Sequence, residues 1–164
     1  MGSHQSARSL TTTWLTPQNI LAALGKFDLD PCAAPLPRPW PTAAVHWLEQ
    51  DRPLERAWLG RVWVNPPFSP RFLIEAFLTK LADHGTGIAL VSARTETELF
   101  FRCVWQRASG VLFLRGRPYF HHADGRRGRT NSGCPIVLVS YGELDADVLR
   151  TCGLPGQWLP LGGW

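Results

Sequence analysis

Short apolar runs that end on glycine or proline alternate along this chain with stretches of helical spacing. Arg61-Val62-Trp63-Val64 is the clearest run, four residues that stop on Asn65-Pro66-Pro67. Proline cannot donate to a sheet ladder, so a central strand has to end there. Ser69-Pro70 then reads as a helix start, and Phe72, Leu73, Ala76, Phe77 and Leu81 recur at helical spacing before Gly85. The pattern next predicts a buried strand over 86–91 and a helix over 95–108 with Leu99, Phe100, Cys103 and Val104 on one face. Further strands follow over 111–114 and 135–141. Upstream, Thr16-Pro17 predicts an N-cap and first-turn proline ahead of Ile20, Leu21, Ala23 and Leu24, with Gly25 as the stop. A short strand over 26–29 runs into Asp30-Pro31. The five prolines between 31 and 41 dictate an extended loop, and 42–50 reads as a short helix.

Strands alternating with helices predict an α/β fold, a three-layer sandwich on a mostly parallel central sheet. Ligands in such sheets bind outside the carboxyl ends of the strands. Asp30-Pro31 and Asn65-Pro66-Pro67 both fall at such ends. The 164 residues suffice for one core. Residues 1–9, which open on Met1-Gly2-Ser3-His4, read as an expression remnant and disordered N-terminus. Residues 10–152 read as a single domain, and 153–164 as a Pro/Gly/Trp coil.

The apolar fraction of 45% and charged fraction of 18% exclude a disordered chain. No apolar run approaches the roughly 20 residues of a membrane-spanning helix, and no secretory signal is visible. The formal charge of +4 allows a polyanionic partner. Cys32, Cys103, Cys134 and Cys152 form no CxxC or CxxH pair, so no metal site is expected. Scattered thiols suit a reducing cytoplasm.

Asn65-Pro66-Pro67-Phe68 carries the chemistry. An aromatic amine is a poor nucleophile because its lone pair is delocalised into the ring. Acceptors on its two N–H groups help the nitrogen become tetrahedral without any strong base. Asn65 offers an amide oxygen, Pro66 a carbonyl on a stiff turn, and Phe68 a face on which a flipped base can stack. Two successive fixed φ angles preorganise those acceptors. The same string also forms ordinary proline turns, so its setting between an apolar strand and a capped helix matters.

Several motifs occur in one order: Thr13-Trp14-Leu15-Thr16-Pro17, then Phe27-Asp28-Leu29-Asp30-Pro31-Cys32-Ala33, then Asp51. Trp58, Gly60, 62–69 and Gly116-Arg117-Pro118-Tyr119-Phe120 follow. Over roughly 13–141 the chain resembles the short phage-type DNA N6-adenine methyltransferases, the phage Dam family, within the Asn/Asp-Pro-Pro-Tyr/Phe amino-methyltransferases. The resemblance implies a Rossmann-like methyltransferase sandwich that transfers a methyl group from S-adenosylmethionine to the N6 amine of a flipped-out adenine. S-adenosylhomocysteine would be the product, and no metal would be needed. It implies a cytoplasmic enzyme of phage or prophage origin in a bacterial host. It matches Trp14, Thr16 and Pro17 to the segment beside the cofactor's methionine part. It matches Asp28, Asp30 and Pro31 to the cofactor end of the first strand, where one carboxylate would meet the ammonium group. Asp51 would meet the cofactor's adenine, and Asn65 would border both ligands. The usual glycine-rich cofactor loop is replaced by Cys32-Ala33-Ala34-Pro35, which leaves the cofactor pocket undefined.

Arg115, Arg117, Arg126, Arg127 and Arg129 cluster with Gly116, Gly125 and Gly128. Guanidinium groups suit phosphate oxygens, and such contacts give salt-dependent affinity without sequence information. The cluster is the candidate contact to double-stranded DNA, or else a solvated charged hairpin. A chain this small has no room for a large recognition module, so short or low sequence specificity is expected, extended by homodimerisation. Two alternatives share the motif or the fold: methylation of RNA adenine or a protein glutamine, and an inactive nucleic-acid-binding module.

Overall fold

The computed structural model describes residues 13–162; the N-terminal remnant expected over 1–9 lies outside the described residues. Seven strands form one sheet in the order β2-β1-β3-β4-β6-β5-β7. They are β1 (Leu29–Asp30), β2 (Val45–His46), β3 (Val62–Val64), β4 (Gly87–Ser92), β5 (Gly110–Leu114), β6 (Ile136–Tyr141) and β7 (Gly156–Pro160). The helices are α1 (Gln18–Leu24), α2 (Arg71–His84), α3 (Glu98–Phe100) and α4 (Glu143–Thr151). A π-helical turn over Phe101–Trp105 continues α3.

Period-two alternation builds the core. Val62, Val64, Ala89, Val91, Val111, Val137 and Val139 face one cluster, with Phe77, Leu78 and Leu81 of α2 and Phe100 of α3. Trp63, Ile88, Leu90, Leu112, Ile136 and Leu138 face the other, with Ile20, Leu21 and Leu24 of α1 and Leu149 of α4. Helices therefore cover both faces. Across the second face the Arg61 guanidinium lies over the Phe27 ring at 4.2 Å and pairs with buried Asp145 of α4 at 2.6 Å.

The expectation of a mostly parallel sheet is corrected. β1 pairs in parallel with β2 and with β3, and β3 with β4. The longer ladders β4–β6, β5–β6 and β5–β7 are antiparallel. The connections explain this. A helix between strands carries the chain back to start in the same sense, as α2 does between β3 and β4. The 115–135 segment contains no helix, so the chain leaving β5 returns antiparallel as β6, between β4 and β5.

The ends are also corrected. The segment from 153, expected as coil, carries β7, and α4 lies in a stretch read as neither helix nor strand. Residues 42–50 form no α-helix but β2 and the start of a 3-10 turn (Glu49–Asp51). Gly25 and Gly85 close α1 and α2 as expected, both with positive φ. Among the described residues no helix is long and apolar enough to cross a membrane.

Candidate active site

β3 is fully buried, and the chain emerges from it at Asn65. Here a cavity of about 750 Å³ opens at the carboxyl ends of β1 and β3. That size falls in the range of small-molecule sites. Asn65, Pro66, Pro67 and Phe68 line it together with Trp14, Thr16, Asp30 and Pro31. Segments more than 30 residues apart in sequence thus meet around one space.

Asn65 donates from Nδ2 to the Thr16 hydroxyl at 3.2 Å, while its Oδ1 has no partner among the described residues. Thr16 was expected to cap α1. Pro17 stands at the N-cap instead, with no side-chain cap, because the Thr16 hydroxyl is taken up by Asn65. Thr16 is itself buried, and its carbonyl accepts the Trp40 indole N–H at 3.2 Å. Phe68 is 42% exposed beside the cavity.

Asp30 is buried and accepts hydrogen bonds from the Cys32 backbone N–H at 3.0 Å and from the Thr42 hydroxyl. Burial pushes its carboxyl up to about 6, against those hydrogen bonds and the pull of Arg38. It forms no ion pair among the described residues. Cys32 lines the same wall; burial, then the neighbouring Asp30 charge, pushes its thiol well up, so it stays protonated. The Cys32-Ala33-Ala34-Pro35 segment that replaces a glycine-rich loop lines the cavity throughout.

Three expected cofactor residues stand elsewhere. Asp28 is exposed and its carboxylate accepts the Arg61 backbone N–H at 2.7 Å, packed against Gly60 on the far side of the strand end. Asp51 caps its own turn, accepting from the Leu48 backbone at 2.7 Å, and is not part of the cavity wall. Its neighbours Glu49 and Gln50 are. Pro17 lines a smaller cleft of about 300 Å³ with Asn19, Tyr119 and Arg127. Thr42, Trp63 and Glu49 were not foreseen at the site. Only Glu49 left a signal, as an acid two positions before Asp51.

A family model described as DNA N-6-adenine-methyltransferase (Dam) matches residues 3–148, most of the chain. The chain belongs to the Dam family. Seventy residues are also 33% identical to the genome polyprotein of hepatitis C virus genotype 3k (isolate JK049), over 43% of this chain and 2% of that polyprotein. The chain spans only that small fraction of the relative's length. No solved structure matches.

In this Dam-family chain the arginine cluster folds back on the cavity segment. His121 pairs with Leu15 and with Arg127 in isolated bridges, and Trp14 meets His122 at 5.0 Å between ring centroids. All five arginines are not equivalent. Arg126 pairs with Asp124 at 2.7 Å, Arg127 lies over Tyr119 at 3.9 Å, and Arg117 donates to the Gly133 carbonyl at 3.0 Å. The Arg115 and Arg129 side chains have no polar partner among the described residues. No group of metal-ligating side chains occurs among the described residues.

Proposed function

We propose that this Dam-family protein methylates the N6 amine of an adenine flipped out of double-stranded DNA, with S-adenosylmethionine as the donor. The observation that carries the reading is Asn65: its amide nitrogen is held by Thr16, and its oxygen has no partner among the described residues on the wall of a ligand-sized cavity.

The residues fit the donor. Among the described residues Asp30 is a buried carboxylate without a counter-ion, which an ammonium group would supply. Glu49 at the cavity wall offers acceptors for ribose hydroxyls. Trp63 is another cavity residue, and its buried Nε1 has no partner among the described residues. S-adenosylmethionine, when bound, supplies an electrophilic methyl group on a positive sulfur. Asn65 Oδ1 and the Pro66 carbonyl accept the two N6 hydrogens and draw the lone pair out of the ring. Phe68 holds the base plane by stacking. Transfer would leave the carbon–sulfur electron pair on the donor's sulfur and release the extra N6 proton to solvent. Arg115, Arg117, Arg126, Arg127 and Arg129 are the proposed contacts to DNA phosphates. A Rossmann-like reading of the sheet rests on the helices covering both faces and on the cavity at the carboxyl ends of β1 and β3.

Incubation with tritium-labelled S-adenosylmethionine and unmethylated duplex DNA tests the reading. Label is expected in N6-methyladenine after digestion. Label in RNA or protein alone, or no transfer by folded protein, overturns it.

A further inference from the structure

We infer that Thr16 is a positioning residue for the methyl-transfer step, acting through the side-chain amide of Asn65. The inference rests on the proposed function and deepens it.

An asparagine on a turn can rotate about its last side-chain bond, and its amide can present oxygen or nitrogen to the cavity. Only the oxygen accepts an N6 hydrogen; an NH2 group there would set donor against donor. The side chain therefore needs a partner for its nitrogen, and Thr16 Oγ1 is that partner at 3.2 Å. The two residues lie 49 positions apart. A hydroxyl can pair with either end of an amide, so the adenine amine completes the choice. Once Oδ1 faces the amine, Thr16 takes the Nδ2 hydrogen.

Thr16 can do this because it hardly moves. It is 2% exposed. Its carbonyl is fixed by the Trp40 indole, and the preceding residue, Leu15, exchanges two backbone hydrogen bonds with His121 at 2.8 and 3.0 Å. The Asn65 backbone is anchored too, between the fully buried β3 and the rigid Pro66. A methyl in place of the hydroxyl leaves the amide nitrogen unpaired and the amide plane free to turn. Positioning partners of this kind typically account for a roughly 10–100-fold effect.

The test compares Thr16→Val, which keeps the shape, with Thr16→Ser, which keeps the hydroxyl. Single-turnover methylation is expected to fall about 10–100-fold in the valine variant and to stay within about threefold of wild type in the serine variant. The loss should appear in the methyl-transfer rate, with the KM for DNA nearly unchanged in both. In an Asn65→Ala background, Thr16→Val should slow the reaction no further, because the two residues act as one unit. Equal impairment of the valine and serine variants, or a further decrease on top of Asn65→Ala, overturns the inference. If the valine variant does not fold, wild-type protein gives the answer by nitrogen-15 NMR. The Asn65 side-chain amide, assigned by its disappearance in Asn65→Ala, should show one hydrogen slowed in exchange with water. Fast exchange of both hydrogens overturns the inference. Wild-type protein that transfers no methyl group to DNA fails the proposed function instead, and the NMR measurement still reads the Thr16–Asn65 hydrogen bond.

Discussion

The Phe68 ring stands edge-on to Phe120, with centroids 6.1 Å apart and planes at 79°. Phe120 is buried, whereas Phe68 is 42% exposed at the cavity. A core residue that follows the first arginines of the cluster thus braces a ring on the proline turn after β3. Phe68→Ala should lower methylation about 10–100-fold, the equivalent of the roughly 1–3 kcal/mol that stacking on one base contributes. Its thermal midpoint should fall only slightly, since the ring stands at the edge of the core with 42% of its surface exposed. Absence of the fluorescence rise of 2-aminopurine at the target position would report the failed flip. Full activity with normal flipping would remove the ring from the base site.

With Asp30 as the proposed partner of the donor's ammonium group, cofactor affinity should depend on pH. Its carboxyl titrates at about 6, and only the ionised form pairs with an ammonium group. Affinity for S-adenosylhomocysteine should fall about tenfold per pH unit below about 6. In Asp30→Asn it should be weak at every pH, and calorimetry across roughly pH 4.5–8 reads the difference.

The same carboxyl affects stability with a definite sign. Its folded value lies above the ordinary 3.8 of an aspartate, so the folded state binds the extra proton. The stabilisation is complete below about pH 3.8 and is lost as pH rises through about 6. The ligand-free protein should therefore lose up to about 3 kcal/mol from this group over that window. Urea unfolding of Asp30→Asn should lack the drop, and a variant with the wild-type slope would contradict the buried charge.

Arg115 and Arg129 have side chains without polar partners among the described residues, whereas Arg126 is paired with Asp124. Replacing Arg115 and Arg129 together should weaken DNA binding and flatten the salt dependence. The log–log slope should shrink by about 0.9 for each phosphate that is no longer neutralised. Replacing Arg126 first has to break its ion pair and should change the slope less. Binding titrations from about 50 to 200 mM salt distinguish the two.

β7 depends on Gly110. A Cβ at that position would collide with the Trp158 ring, which covers the glycine. Gly110→Ala should displace the indole and loosen β7. The expected signs are a red-shifted tryptophan emission, faster amide exchange over Gly156–Pro160, and destabilisation of about 1–3 kcal/mol. Unchanged emission and exchange would show that the strand tolerates the methyl group.

Local rules made much of this molecule legible. The buried β3, its end at the prolines and the glycine stops at Gly25 and Gly85 follow from backbone chemistry within a few residues. So does the placing of two proline turns at strand ends, once strands and helices alternate. Other features were hidden because their cause lies far along the chain. β7 has mostly exposed side chains and no alternation; it exists because β5 offers an open edge and a glycine under Trp158. The expected 95–108 helix is a short α3 and a π turn that buries Phe100, Cys103 and Val104 together.

The sequence by itself determined which residues could meet an amine, a sulfonium ligand or a phosphate, because those are properties of side chains and of rigid turns. Tertiary structure decided strand direction, since that depends on whether a helix or a loop returns the chain. It also decided which acids reach the cavity. Asp30 faces the cavity while Asp28, two positions earlier, does not, and Thr16 serves Asn65 rather than its own helix. Hydrogen bonds across 49 residues form only after the sheet has brought their partners together, so no local pattern encodes them.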